Sequence, residues 1–299
     1  MFRKSKRAVS AEFFEKHQAM FRCPLCYKTM AIIHFQSLVC GNGHCFDIAK
    51  HGYVHLLSNG SRTKYDQTIF AHRRLICKSG LFDPLYAAIS GIIWSRHPHD
   101  EPIRILDAGC GEGSHLSNLQ NRINRIKPQA VVAVGVDISK EAISYAAAGY
   151  SDAIWCVADI ANCPFSSRQF QFILNILSPA NYSEFGRLAA DKGLVIKVVP
   201  GQGYLQEIRE ILYQGSGKQT YSNSRTRSRF NKQFHPLDVV SLRYQVDLRE
   251  GLIEPLLGMT PLSWGTSRER IEQVLRPGLN KVTMDFDILI GSARDERWD

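Results

Sequence analysis

The chain has 299 residues, 44% of them hydrophobic, enough for a core domain of around 200 residues with an accessory module and too few for two large domains. Its formal net charge of +9 favours a polyanionic partner over a small neutral substrate. It contains no apolar run of about eighteen residues, and the basic start Met1-Phe2-Arg3-Lys4-Ser5-Lys6-Arg7 is followed by no apolar signal region. No membrane partner and a cytoplasmic location are therefore expected, and in a reducing compartment the eight cysteines read as metal ligands or buried thiols.

Residues 1–20 are an N-terminal extension without a readable motif. Cys23-Pro24-Leu25-Cys26 and, after thirteen intervening residues, Cys40-Gly41-Asn42-Gly43-His44 then form C-x2-C and C-x3-H pairs. Each pair points two ligands at one ion from a single turn, and two turns complete a tetrahedron. Cys23, Cys26, Cys40 and His44 are the expected ligands of one structural zinc ion, with Cys45 and His34 as nearby competitors. With all four positions taken by protein, no coordination site is left for a catalytic water. Residues 21–57 hold too few apolar residues to fold unaided, so metal binding is expected to stabilise this module. Residues 58–80, with Ser61-Arg62-Thr63-Lys64-Tyr65-Asp66 and Arg73-Arg74, read as a polar connector to a domain spanning 81–299.

That domain opens on Ile103-Arg104-Ile105-Leu106-Asp107-Ala108-Gly109-Cys110-Gly111-Glu112-Gly113-Ser114, a buried-strand pattern ending in an acid and three alternating glycines. The glycines let the backbone turn sharply and approach a ligand closely. A dinucleotide fingerprint would need glycine at position 114, where Ser114 stands, so NAD is disfavoured. The D-x-G-C-G-x-G form instead looks like motif I of class I S-adenosylmethionine-dependent methyltransferases, with a helix predicted over 114–126. The fold class expected is α/β, a Rossmann-like doubly wound sheet with a small N-terminal zinc-binding module. Asp107 and the turn residues Gly109, Cys110, Gly111 and Glu112 are candidate cofactor contacts. A second strand ends in Asp137, placed to accept both ribose hydroxyls, and a third in Asp159, placed to receive the adenine amino group. The competing reading of such acids is a helix N-cap, and Asp137 precedes Ser139-Lys140-Glu141.

Residues 170–177 and 194–199 read as strands four and five, with helices over 181–190 and 204–213. Residues 282–290 alternate as a final strand with one polar side. The Ser-, Arg-, Asn- and Lys-rich segment 218–232 reads as a mobile loop, either a solvated insertion or an RNA contact.

The two motifs combined resemble the RlmA family of 23S ribosomal RNA (guanine-N1-)-methyltransferases, from Cys23 nearly to the C-terminus. The resemblance is carried by C-P-L-C at 23–26, C-G-N-G-H-C-F-D-I-A-K-H-G-Y-V at 40–54, L-D-A-G-C-G-E-G at 106–113 and V-D-I-S-K at 136–140. N-I-L-S-P-A-N-Y-S-E-F at 175–185, L-V-I-K-V-V-P at 194–200 and L-G-M-T-P-L at 257–262 extend it. The S-P-A-N-Y form is similar to the Gram-positive RlmA(II) branch. The resemblance implies S-adenosylmethionine as methyl donor, N1 of a guanine in a domain II hairpin of 23S rRNA as acceptor, near the macrolide-binding exit tunnel, and a cofactor pocket closed by Phe82, Gly111, Glu112 and Tyr204. The family often has tyrosine at position 82 and histidine at 204, so polar contacts there are altered while aromatic packing survives. A homodimer is left open.

Guanine N1 carries a proton at neutral pH, so a carboxylate or oriented donors must assist its loss. Asp66 in the connector is the candidate acid. Asn175 and Ser178, at the end of strand four, occupy the place where N-P-P-Y-like motifs of other base methyltransferases hold an extruded base. Tyr182 either stacks on that base or packs its own helix. Two other classes compete. A small-molecule, quinone-type methyltransferase would leave the zinc module and the charge without a purpose, and a non-catalytic zinc-dependent RNA-binding protein would not need the intact Asp107, Gly109, Gly111 and Asp137.

Overall fold

A computed structural model describes residues 4–57, 67–98, 101–217, 219–276 and 278–294. Helix α1 (Lys6–Lys16) starts on Ser5, whose hydroxyl accepts from the Ala8 N–H at 3.2 Å. A three-stranded antiparallel sheet follows, β1 (Met30–Ile33), β2 (Ser37–Cys40) and β3 (Cys45–Asp47), and then β4 (Tyr53–His55). Helices α2 (Gln67–Lys78) and α3 (Asp83–Ser95) lead into β5 (Ile103–Ala108), α4 (Ser114–Ile126), β6 (Val131–Asp137), α5 (Lys140–Gly149) and β7 (Ala153–Val157). The second half runs β8 (Phe170–Ile176), α6 (Tyr182–Leu188), β9 (Ala189–Pro200), α7 (Gln206–Leu212), α8 (Ser224–Gln233), β10 (Phe234–Asp247), α9 (Ile253–Gly258), α10 (Arg268–Leu275) and β11 (Lys281–Ala293). Among the described residues no single helix is long and apolar enough to cross a membrane.

The main sheet has eight strands in the order β10-β11-β9-β8-β5-β6-β7-β4. Strands from β4 to β9 pair in parallel, and only β11, wedged between β9 and β10, runs antiparallel to both its neighbours. Chain direction across the sheet reverses beside β5, which is flanked by β6 and β8, and this is where open α/β sheets bind ligands. The arrangement is that of a class I methyltransferase sheet with one extra edge strand. That strand, β4, lies within the 21–57 segment by sequence yet pairs with β7, Tyr53 opposite Trp155 and His55 opposite Val157.

A parallel sheet is stable only with both faces covered. One face, with Ile105, Ala133, Trp155, Phe172 and Ile196, is covered by α3, α4, α5 and α7. The opposite face carries Leu106, Val134, Ile154 and Ile173, but the connection from β7 to β8 contains no helix. The N-terminal segment fills that place. Phe14 and Phe21 are fully buried, their rings 5.5 Å apart, and Phe21 meets Phe165 at 5.2 Å while pairing with it as an isolated bridge. Residues 21–57 thus share a core with the sheet, so their stability comes from docking as well as from metal.

One expectation needs correction. Segment 218–232 was expected as a mobile loop, but 224–233 is helix α8, because Phe230 anchors it against the rings of Tyr182 and Phe234 at 5.9 and 5.0 Å. The final strand has the one polar side expected of it, and that side is buried and bonded through Thr283, Asp285 and Asp287. Thr283 donates to Glu207, Asp285 accepts from the Gly203 N–H at 2.7 Å, and Asp287 accepts from Ser241 and Asn223. Strand β10 was not anticipated at all.

Phe21→Ala should cost about 3 kcal/mol, the usual loss for a buried phenylalanine in a packed seam. Urea unfolding checks it, and limited proteolysis should then cut within the first 57 residues before the sheet unfolds.

Candidate metal centre and cofactor site

The two cysteine turns are built by local hydrogen bonds. The Tyr27 N–H donates to the Cys23 carbonyl at 2.8 Å, and the Gly43 N–H to the Cys40 carbonyl at 2.8 Å. Gly43 has φ +81°, a left-handed conformation that glycine takes without steric cost. The ligand atoms of Cys23, Cys26, Cys40 and His44 all lie within 4.8 Å of one another. Cys23 Sγ is 3.4 Å and Cys40 Sγ 3.3 Å from His44 Nδ1, and Cys26 Sγ is 3.6 Å from Cys40 Sγ. Tetrahedral zinc has edges of about 3.5 to 3.8 Å for sulfur and nitrogen ligands, so the cluster matches that ion. Burial raises the Cys40 thiol, but the N–H groups of Asn42 and His44 and the neighbouring thiols outweigh it and bring it down to about 6, favouring the thiolate. Cys45 is exposed and its thiol faces Asp47 Oδ1, apart from the cluster.

At the switch point, Gly109, Gly111 and Gly113 have φ of +82°, +57° and +85°. Gly113 opens α4, and a Cβ there would strike Trp155 and Ala146. Asp137 Oδ2 accepts from the Gly111 N–H at 2.8 Å and Oδ1 from the Ser139 N–H at 2.9 Å. The N-cap of α5 is Ser139, whose hydroxyl accepts from Ala142, so Asp137 is free of that role. A carboxylate offers about four acceptor positions, and each oxygen of Asp137 has one left. Asp159 sits two residues past β7 and accepts from the Ala161 N–H at 2.8 Å, which holds its own turn.

Asp107 is the least satisfied group in the site. It is 1% exposed, and neither oxygen has a hydrogen-bond partner among the described residues. Burial, reinforced by the charge of Asp137, pushes its carboxyl up to about 7. An unpartnered buried carboxylate beside a glycine turn fits a cationic ligand such as S-adenosylmethionine, whose sulfonium and ammonium groups would compensate it. Glu112, also fully buried, is by contrast engaged: it accepts from the Ser114 hydroxyl at 2.8 Å and pairs with Arg74 at 3.3 Å. Cys110 is buried with its sulfur against Gly135, so only its backbone borders the turn.

Phe82 and Tyr204 come together around Phe286, with ring centroids 6.1 and 5.2 Å from it. Phe82 also packs edge-on against His115, which burial pushes down to about 3 and which bonds to the Tyr86 hydroxyl at 3.0 Å. On the other side of β5, the loop after β8 seats Ser178 against Gly109, where any side chain would collide with the serine. Asn175 donates to the Ala108 and Pro179 carbonyls at 2.6 and 2.8 Å, so both amide hydrogens are used on main chain. Tyr182 packs against Phe185, Phe230 and Phe234, the second of its two anticipated roles. Asp66 lies outside the described residues.

Two residues in this region escaped the sequence reading. Lys197, 5% exposed and opposite Asn175 in the sheet, donates to Asn175 Oδ1 and the Ser178 carbonyl, each at 2.5 Å; burial pushes its ammonium down to about 8. A lone lysine inside L-V-I-K-V-V was the available signal. Arg73 lies over Gly111, its Nη1 2.5 Å from where a Cβ on that glycine would sit. The Arg73-Arg74 doublet beside an otherwise amphipathic pattern was its signal.

Two measurements follow from this geometry. Cys26→Ala should lose most of the bound zinc by metal analysis and several kcal/mol of stability, whereas Cys45→Ala should retain both. For Asp107, the folded chain keeps a proton that the unfolded chain, with an aspartate pKa of about 4, has already lost; stability therefore falls as pH rises from about 4 to about 7 and is level above. Asp107→Asn removes that fall, so its stability relative to the parent chain should increase by on the order of 2 to 4 kcal/mol between pH 4 and pH 8. Urea unfolding of both proteins across that range checks it, and a constant difference would contradict the buried-carboxyl account.

Comparison with known proteins places this geometry in a family. The family profile described as "RlmA, N-terminal", a zinc ribbon, matches residues 21–60, and the profile described as "Methyltransferase domain" matches 105–190. YxjB of Bacillus subtilis strain 168, which bears the provisional name 23S rRNA (guanine-N(1)-)-methyltransferase, is 42% identical over 275 residues, 91% of this chain and 97% of that protein. The 23S rRNA (guanine(748)-N(1))-methyltransferase of Streptomyces fradiae is 26% identical over 273 residues, 90% of this chain and 95% of that one. A zinc ribbon docked on a class I, S-adenosylmethionine-dependent methyltransferase sheet, with sequence similarity running almost end to end, makes this chain a member of the RlmA family.

Proposed function

We propose that this chain transfers the methyl group of S-adenosylmethionine to N1 of a guanine in a 23S rRNA hairpin, in the cytoplasm. The observation that carries the reading is the 42% identity to YxjB across both the zinc ribbon and the methyltransferase sheet. A small-molecule methyltransferase would need neither the ribbon nor the cationic surface.

S-adenosylmethionine, when bound, supplies a methyl group already activated by its sulfonium. The remaining work is positioning. Asp137 would accept from the ribose hydroxyls with its free lone pairs, and Asp107 from the ammonium. The glycine turn at 109–111 admits the ligand close to backbone, Phe82 and Tyr204 wall it, and Asp159 would receive the adenine amino group. On the acceptor side, Asn175 and Lys197 tie the 178–179 backbone to the ends of β5, β8 and β9. Ser178 would face the base, on a loop that cannot drift from the cofactor turn. Asp66 is our candidate to take the N1 proton.

Binding of the RNA needs cations near that loop. Helix α8, packed against α6 through Phe230 and Tyr182, exposes Arg225, Arg227, Arg229 and Lys232 and contains no acid. Lys50 and His51 are exposed on the ribbon side. Both surfaces suit phosphate contacts read by shape, with the guanine unpaired from its loop.

Primer extension on 23S rRNA decides the matter, because an N1 methyl blocks the Watson–Crick edge of guanine. Cells with the gene should show a stop at one guanine, cells lacking it should not, and Asp137→Ala should fail to restore it. Identical stops in both strains would overturn the reading.

A further inference from the structure

Two polar side chains of the cofactor cleft lack partners. One is Asp107, buried with both carboxylate oxygens unbonded. The other is Arg73, which makes no hydrogen bond and no ion pair among the described residues, although its charge acts on Asp107, Glu112 and Asp137 and on the Tyr204 hydroxyl. Its neighbour differs completely. Arg74 pairs with Glu112, donates to the Tyr145 carbonyl at 2.7 Å and lies over the rings of Tyr145 and Tyr150 at 4.6 and 5.0 Å. Arg74 thereby clamps α2 to the motif and to α5, and the clamp holds Arg73 over Gly111. The glycine has φ +57°, and a side chain there would meet the guanidinium and push it aside.

A guanidinium whose purpose was to neutralise these acids would pair with one of them, since a charge-assisted bond is the strongest interaction open to it. Arg73 instead stands off from all three. The glycine turn thus has a cation over Gly111 and a buried, unbonded carboxyl at Asp107, a pair complementary to a zwitterion that carries both an ammonium and a carboxylate. We propose that Arg73 binds the α-carboxylate of the methionine moiety of the cofactor, opposite Asp107 on the α-ammonium. This rests on the reading of the cleft as the S-adenosylmethionine site. Arginine suits the task because its planar fork meets both carboxylate oxygens at once, which lysine cannot do. The cleft would then discriminate for the amino-acid tail, separately from the ribose recognised by Asp137.

The test is calorimetric binding to the full-length, zinc-loaded chain of two nucleosides: S-adenosylhomocysteine, which carries the amino-acid tail, and 5′-methylthioadenosine, which does not. Arg73→Met should weaken S-adenosylhomocysteine by about tenfold or more and leave 5′-methylthioadenosine within about twofold, with Arg73→Lys intermediate. Unchanged or tighter S-adenosylhomocysteine binding would overturn the proposal, tightening marking the guanidinium as a plug, and so would an equal loss for both nucleosides. Should the methionine variant not fold, the ratio of the two affinities in Arg73→Lys and Arg73→Gln decides by the same criterion. Failure of the parent chain to bind either nucleoside would refute the cofactor site itself, a result distinct from failure of Arg73.

Discussion

The structure depends on covering the second face of the parallel sheet. Strands β5, β6, β7 and β8 are apolar on both sides, and the missing helix between β7 and β8 leaves Ile154, Ile173 and their neighbours without an internal cover. The aromatic contacts of Phe14 and Phe21 with one another and of Phe21 with Phe165 supply it. The zinc ribbon is therefore part of the methyltransferase core rather than a tethered appendage. β4 extends the sheet itself, so a cut after residue 57 would remove an edge strand and uncover an apolar face at once.

The same docking gives the metal its leverage. Zinc orders two short turns, and through them the antiparallel strands that carry Met30, Ile32 and Leu38 into the shared core. Metal binding and sheet burial are then coupled, each lowering the cost of the other. A ribbon docked in this way holds the exposed Lys50 and His51 in a fixed relation to the main sheet.

Within the cleft, charge is arranged around what is left unpaired. Glu112 is satisfied by Arg74 and Ser114, and Asp137 is half satisfied by backbone, whereas Asp107 and Arg73 have no hydrogen-bond partner among the described residues. For the fully buried Asp107 the missing partners make ionisation costly, which raises its carboxyl to about 7, whereas the half-buried Arg73 keeps access to water. The far side of β5 follows the opposite rule. Asn175 makes three hydrogen bonds and Lys197 two, which tie the 178–179 loop to the strand ends.

Much of this was legible in the sequence. The ligand spacing of Cys23, Cys26, Cys40 and His44 is local, since two residues in one tight turn meet whatever the rest of the chain does. The strands ending at Ala108 and Asp137 and the helix from Ser114 to Ile126 were equally legible, because buried apolar runs and glycine turns are properties of adjacent residues. What the sequence could not state was partnership across distance. The alternation of Thr283, Asp285 and Asp287 reads as a polar side, and only the third dimension brings Glu207, Gly203 and Asn223 to meet it. Helix α8 reads as loop until Tyr182 and Phe234 close on Phe230. Arg73 and Arg74 look alike in a polar connector, and tertiary packing alone binds one to Glu112 and sets the other above Gly111, without an ion pair among the described residues. The division is physical: turn chemistry and periodicity act over a few residues, whereas burial of polar groups depends on which distant segments arrive to satisfy them.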